Sequence, residues 1–329
     1  MKMLGSDETL FRNEDAFELD YVPEVFNYRD SQIKALASCA MPALRGQKAV
    51  NAIIHGPPAT GKTTAVRIAF SQLDLPALHV NCHIDNSPYA IMARIYELLF
   101  QRQPPETGTS LNTLYDKILS RLKKPLLVAL DDFDSLTKKD QNDVLYNILR
   151  AYELGKGHKT SAWVICQKEE LMLDSRVRSV FQPMPIKFPA YKRGEIFGIL
   201  KERVEIGLYP DVMPRHALDK ITDYALGKND LRAGIESIRR AALNAEADSS
   251  RKIMDKHLVL ESMASDEEKI VSLLREKPLI SGQLYELVKK DMGYTKFNKT
   301  VNELLTKNLI ESRFIVSNKG RTRVFSVKL

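Results

Sequence analysis

Residues 50–63 read VNAIIHGPPATGKT, a short apolar, β-branched run that leads directly into G-x-x-x-x-G-K-T at 56–63. The run has the character of a buried parallel strand, and the segment from about 61 to 72 has helical periodicity, so the motif sits between a strand and a helix. That context supplies a mechanism. Gly56 and Gly61 accept backbone angles that turn successive N–H groups inward around β- and γ-phosphates, and Pro57, Pro58, Ala59 and Thr60 form the curl between them. Lys62 adds a mobile point charge, the Thr63 hydroxyl ligates Mg²⁺, and Thr64 follows in the same first helical turn. The expected cofactors are ATP or ADP with Mg²⁺.

A phosphate loop needs a second strand that carries a carboxylate, and LLVALDDFD at 126–134 supplies it, at a spacing with room for one intervening strand. Asp131 is the metal-side acid. In the common version of this strand the next residue is Glu, which polarises the attacking water; here it is Asp132. A side chain one methylene shorter holds its carboxylate back by more than about 1 Å, which costs orders of magnitude in rate. The sequence therefore predicts tight nucleotide binding with slow hydrolysis.

Outward from this pair the pattern alternates. Helical periods at 30–44, 61–72, 87–102, 110–122 and 140–153 are interleaved with strand-like runs at 77–82 (ALHVNC), 125–132 and 161–167 (SAWVICQ). This is the signature of an α/β domain with a parallel sheet. FPAY at 188–191 reads as its closing strand, and residues 192–263 continue with helical periods alone, as a small helical domain. Residues 1–20 are polar and aperiodic and read as a flexible lead-in, which places the α/β domain at 21–191.

Composition bounds the rest. Hydrophobic residues at 44% and charged residues at 28% are ordinary for a soluble chain, no apolar run reaches the roughly 18 residues of a membrane span, and the N-terminus lacks a signal-peptide core. A cytoplasmic location without membrane association is expected. Cys39, Cys82 and Cys166 have no C-x-x-C spacing and read as buried thiols; His55, His79 and His83 flank strands with no carboxylate or Cys at ligand spacing and read as core or loop histidines.

Residues 264–329 form a third unit. Apolar residues recur at helical spacing over 266–275, a second helix opens at Ser281 or Gly282, and a third from Thr295 places Phe297, Val301, Leu304 and Leu305 on one face and Lys296, Lys299 and Asn302 on the other. Two β-like stretches then flank a turn at Asn318-Lys319-Gly320. Three helices and a hairpin make a winged helix. From Lys289 onward ten Lys and Arg oppose three acidic residues, a local +7 that equals the net charge of the whole chain. A neutral body with a basic end points to double-stranded DNA: the third helix enters the major groove, and Lys319, Arg321 and Arg323 carry the hairpin tip to the minor groove.

Taken in order, YVPEVFNYR at 21–29, the phosphate loop, VNC at 80–82, PETGTSLNTLYDKI at 105–118, DDFDSL and DVLYNILRAYE at 143–153 resemble the archaeal origin-recognition and cell-division-control type replication initiators of the AAA+ ATPases. DSRVRSVF at 174–181 and KNDLRAGIESIRRAA at 228–242 extend the resemblance, which covers the chain from about residue 11. It implies further roles. Gln167 falls where the family carries a polar first sensor, most often Asn; Arg232 is the second-sensor arginine that reaches the γ-phosphate; Arg176 or Arg178 faces a neighbour's nucleotide or DNA; Val22 and Arg29 begin the adenine pocket, and Tyr209 closes it from the lid. The implied function is origin binding through the winged helix and the ATPase body, with DNA bending and recruitment of the replicative helicase. Paralogous initiator subunits on adjacent DNA sites are implied partners, and nucleoid association follows. Two alternatives use the same parts: a nucleotide-gated DNA-binding regulator, as a diverged paralogue, and a loader that turns over ATP.

Overall fold

In the computed structural model the described residues are 9–105, 110–151, 159–260, 265–317 and 320–327. They form two compact units, one over Val22–Ala190 and one that joins the described residues before Val22 to those after Ala190.

The first unit carries strands β1 (Ala52–His55), β2 (Ala77–Asn81), β3 (Leu126–Asp131), β4 (Thr160–Cys166) and β5 (Met184–Lys187), all parallel in the order β2-β3-β4-β1-β5. Its helices are α1 (Asp30–Leu44), α2 (Lys62–Ser71), α3 (Pro88–Phe100), α4 (Leu111–Arg121), α5 (Lys138–Leu149) and α6 (Ser175–Phe181). Side chains alternate across a strand, so a sheet covered on both faces needs apolar residues at consecutive positions. Ile53, Val128 and Val164 join the core built with α3 to α6, whereas Ile54, Leu127 and Trp163 join the core built with α1 and α2. Polar oxygens start the helices: Ser87, Ser110 and Thr137 accept from the backbone N–H groups of Ala90, Thr113 and Asp140. β4 lies between β1 and β3, which brings the loop after β1 and the carboxylates after β3 to the same edge of the sheet.

The last strand is MPIK at 184–187 rather than the expected FPAY at 188–191. Pro185 disguises it in the sequence; a strand at the edge of the sheet tolerates a residue without an N–H. Phe188 adds one more hydrogen bond, from its N–H to the His55 carbonyl at 2.8 Å, before the chain leaves the sheet at Pro189.

The second unit contains α7 (Arg193–Gly207), α8 (Arg215–Lys228) and α9 (Leu231–Ala247), packed through Leu200, Ile221, Ile238 and Ala242. From the stretch expected as a flexible lead-in, Phe11 and Phe17 belong to this core and Leu10 packs against it. Phe11 and Phe17 are buried there, edge to face with centroids 5.9 Å apart. Phe11 bridges Leu208, Arg12 and Asn13 donate N–H groups to the Gly207 carbonyl, and a Cβ on Gly207 would lie 2.3 Å from the Phe17 ring. Glu246 accepts hydrogen bonds from Thr9 and the Leu10 N–H, and Arg239 pairs with Glu14 and Glu18. These anchors lie more than 180 residues downstream, so no local period announces them.

The chain ends in α10 (Ser265–Glu276), β6 (Leu279–Ile280), α11 (Ser281–Val288), α12 (Tyr294–Thr306), β7 (Ile310–Ser317) and β8 (Gly320–Val327), with an antiparallel sheet in the order β6-β8-β7. This is the expected winged helix, to which the structure adds β6. Ile270, Leu284, Phe297, Val301 and Phe325 form its core. Among the described residues no helix is long and apolar enough to cross a membrane.

Candidate nucleotide site and nucleic-acid interface

The loop at 56–63 is built by three left-handed or open backbone positions, Gly56 at φ 149°, Ala59 at φ 55° and Gly61 at φ 86°. Gly56 is required by packing as well as by angle, because a Cβ there would come within 2.1 Å of the Phe188 carbonyl oxygen. Thr60 Oγ1 donates to the Pro57 carbonyl at 2.9 Å, and Lys62 Nζ lies inside the curl, 2.7 Å from Gly56 O and 2.6 Å from Pro57 O. α2 begins at Lys62, so its first N–H groups and dipole meet the loop. Pro57 is half-buried, Pro58 is exposed, and Thr64 is half-buried in the first turn.

Arg29 is 2% exposed and acts as a strut for this loop. Its Nε donates to Thr60 O at 3.1 Å, Nη1 to Tyr28 O at 3.2 Å and Nη2 to Pro189 O at 2.7 Å, with the guanidinium 5.8 Å from the Phe188 ring centre. Val22 is exposed at the start of the same unit.

At the end of β3 Asp131 is buried, and its Oδ2 accepts from Thr63 Oγ1 at 2.8 Å. The same oxygen meets His79 Nε2 at 2.9 Å, and Oδ1 accepts the Asp132 N–H at 3.0 Å. Burial pushes the Asp131 carboxyl up, but the hydrogen bonds from His79, Thr63 and the Asp132 backbone outweigh it and leave the group below its ordinary value. Asp131 is thus a carboxylate beside a hydroxyl. Asp132 takes a left-handed backbone, φ 51° and ψ 40°, and its Oδ2 accepts from Asn81 Nδ2 at 3.3 Å. Gln167 follows β4 with an exposed side chain, and its N–H donates to Asp134 Oδ2 at 3.1 Å, so Asp134 joins Gln167 to the β3 end. His79, Asn81 and Asp134 escaped the sequence reading as site residues. VNC at 80–82 contained the one available signal, a polar residue closing an apolar strand beside the carboxylate strand.

Of the two arginines on α6, Arg178 donates from Nη2 to Leu173 O at 3.2 Å, while Arg176 is exposed beside Tyr146 and Val180. In the other unit Arg232 is exposed on the first turn of α9, its N–H held by the capping Asp230 carboxylate at 2.8 Å, and Tyr209 is half exposed.

On the winged helix, α12 buries Phe297, Thr300, Val301 and Leu304 and exposes Lys299 and Asn302. Lys296 is exposed too, but its Nζ lies 2.5 Å from Asp266, which takes up its charge; among the described residues Lys299 has only Glu303 as an acidic partner, at 3.9 Å. Arg323 turns onto the hairpin, with Nε donating to Ser312 Oγ at 3.0 Å and the guanidinium 5.2 Å from the Phe325 ring centre. Arg321 pairs with Val316 in the β7–β8 ladder, and Lys319 lies outside the described residues.

The curled loop, the Thr63–Asp131 contact and the parallel sheet with one strand between their carriers define a nucleotide-binding domain of the AAA+ class. The comparisons agree: residues 25–159 match the AAA ATPase domain family, and residues 197–260 match the Cdc6 AAA+ ATPase-type lid domain. The chain is 38% identical to the ORC1-type DNA replication protein 2 of Methanothermobacter thermautotrophicus, over 98% of this chain and 93% of that one. It is also 38% identical to the protein of that name from Methanosarcina mazei, over 98% and 94%. The chain belongs to the ORC1-type DNA replication proteins. Its fold is that of the Aeropyrum pernix ORC1 protein solved in complex with DNA, with a TM-score of 0.68 at 23% identity over 98% of this chain and 94% of the other.

Proposed function

We propose that this chain is a nucleotide-controlled replication initiator that binds double-stranded DNA at an origin, holds ATP or ADP with slow hydrolysis, and helps to recruit the replicative helicase. The observation that supports it is the union in one chain of the curled phosphate loop, with its Thr63–Asp131 pair, and a winged helix that exposes Lys299 and Asn302.

A hydroxyl and a buried carboxylate are hard oxygen donors. Few in number, they suit a cation held mainly by phosphate oxygens and water, as Mg²⁺ is with nucleotides. Thr63 and Asp131 would hold it, and Mg²⁺ neutralises phosphate charge when bound. Lys62 binds the phosphates as a point charge and the loop N–H groups orient them. Asp132 is the base position, and its link to Asn81 draws the carboxylate toward β2, which fits slow hydrolysis. Arg232 and Tyr209 serve as second sensor and adenine-closing residue, Val22 lies at the adenine pocket, and Arg176, the less committed of the α6 pair, is the arginine offered to a neighbour or to DNA. The functional division is 21–191, 192–263 and 264–329. Paralogous subunits on adjacent DNA sites complete the assembly, at the nucleoid in the cytoplasm.

The test is capture of sheared DNA from the protein's own genome by the purified full-length chain with ATP and Mg²⁺. Enrichment at a replication start supports the reading. Enrichment across promoters moves the protein to the nucleotide-gated regulators, and even coverage together with fast ATP turnover moves it to the loaders.

A further inference from the structure

We propose that His79 is a positioning residue for the metal side of the nucleotide site, and that it sets how strongly Mg²⁺ tightens nucleotide binding. The inference rests on the nucleotide reading above. Asp131 has two carboxylate oxygens with different supports: Oδ1 is fixed by its neighbour's N–H, whereas Oδ2, the oxygen that meets Thr63, is fixed from the other side by His79 Nε2 at 2.9 Å. Because a carboxylate only accepts, His79 Nε2 carries the proton in this bond. Without that donor, Oδ2 keeps Thr63 and Oδ1 keeps the Asp132 N–H, but the carboxylate is held less tightly about Cβ–Cγ, at the atom that must stay aligned with the hydroxyl ligand. Partners of this kind, one bond behind the ligand, commonly control metal affinity.

The placement is built into the strand. His79 pairs with Ala129 and Asn81 with Asp131, so two alternate residues of the edge strand β2 reach the two consecutive acids at the end of β3. The His79 side chain is 21% exposed against 5% for Asp131, so its aromatic body is packed while its Nε2 is committed to the carboxylate.

The experiment measures ADP affinity of the full-length protein in Mg²⁺ and in EDTA for wild type, His79→Phe and His79→Gln. Phe keeps the ring and removes the donor; Gln places an amide N–H near the position of Nε2. The expected result is a Mg²⁺-dependent gain about tenfold smaller in His79→Phe, an EDTA affinity within about twofold of wild type, and recovery of most of the gain in His79→Gln. A wild-type gain in His79→Phe, an equal loss in both variants, or a loss in EDTA as large as in Mg²⁺ would overturn the role. Wild-type protein that binds no ADP in either buffer would remove the nucleotide reading and this inference with it.

Discussion

Asn81 Nδ2 donates to Asp132 Oδ2 at 3.3 Å, tying the side chain that follows the carboxylate strand to its neighbouring strand β2. On the proposed reading of Asp132 as the base position, its carboxylate is both short and drawn aside. Asp132→Glu is expected to raise steady-state ATP hydrolysis at least about tenfold, because the added methylene returns the carboxylate toward the phosphates, while Asp132→Asn changes the low basal rate little. Phosphate release under multiple turnover checks this; equal rates in all three proteins would place the block elsewhere.

Lys62 and Thr63 divide the binding work differently. Lys62→Ala removes a charged donor from the loop and is expected to weaken nucleotide about ten- to hundredfold with or without Mg²⁺. Thr63→Ala removes a metal-side hydroxyl and is expected to abolish the Mg²⁺-dependent part alone. Titrations with and without EDTA separate the two.

The winged helix gives contrasting outcomes for its polar residues. Lys299→Ala is expected to lower affinity for all duplexes and to reduce the salt slope by about one. Asn302→Ala is expected to relax preference at one base position, by about 1–3 kcal/mol. Arg323, turned onto Ser312 and Phe325, is expected to cost hairpin stability rather than salt-dependent affinity. Fluorescence anisotropy across a salt series, beside thermal melts, distinguishes these patterns.

Phe17 is 2% exposed in the core of the helical unit. Phe17→Ala is expected to destabilise that unit by about 3–5 kcal/mol, whereas Glu14→Gln, at an exposed ion pair, is expected to cost under about 1 kcal/mol. Denaturant titration followed by far-ultraviolet circular dichroism reads both.

His55 at the end of β1 makes a prediction for pH. Burial lowers its pKa, Glu169 pulls it back, and Lys187 and Lys62 push it down again. The unfolded chain therefore binds the proton more readily, so stability is full above the ordinary histidine value of about 6.5 and declines as pH falls below it. His55→Gln is expected to flatten the decline between about pH 6.5 and 5, measured by denaturant midpoints; an unchanged slope would assign it to other groups.

The legible parts of this molecule were those whose cause is local. The phosphate loop, Asp131 and the alternation of strand and helix are fixed by spacing within a few residues, and the winged helix by apolar residues at helical spacing and a turn. What the sequence hid depends on partners far along the chain. His79 reads as an ordinary strand histidine until β2 is laid beside β3, and the hold of Arg29 on the Thr60 and Pro189 carbonyls is invisible until the fold brings them to its guanidinium. Residues 10–20 look disordered because Phe11 and Phe17 are widely spaced among polar residues, and their core is supplied by helices near residues 200 and 240. β5 was missed because its proline sits at a sheet edge, where a missing donor does no harm.

Origin binding under nucleotide control is tested most directly by chromatin immunoprecipitation of the tagged protein in its own cells, beside Lys62→Ala and Lys299→Ala/Arg321→Ala versions. One or a few sharp peaks at replication starts, weakened in both variants, are expected. Peaks spread over promoters, or peaks at replication starts unchanged by either variant, would contradict it.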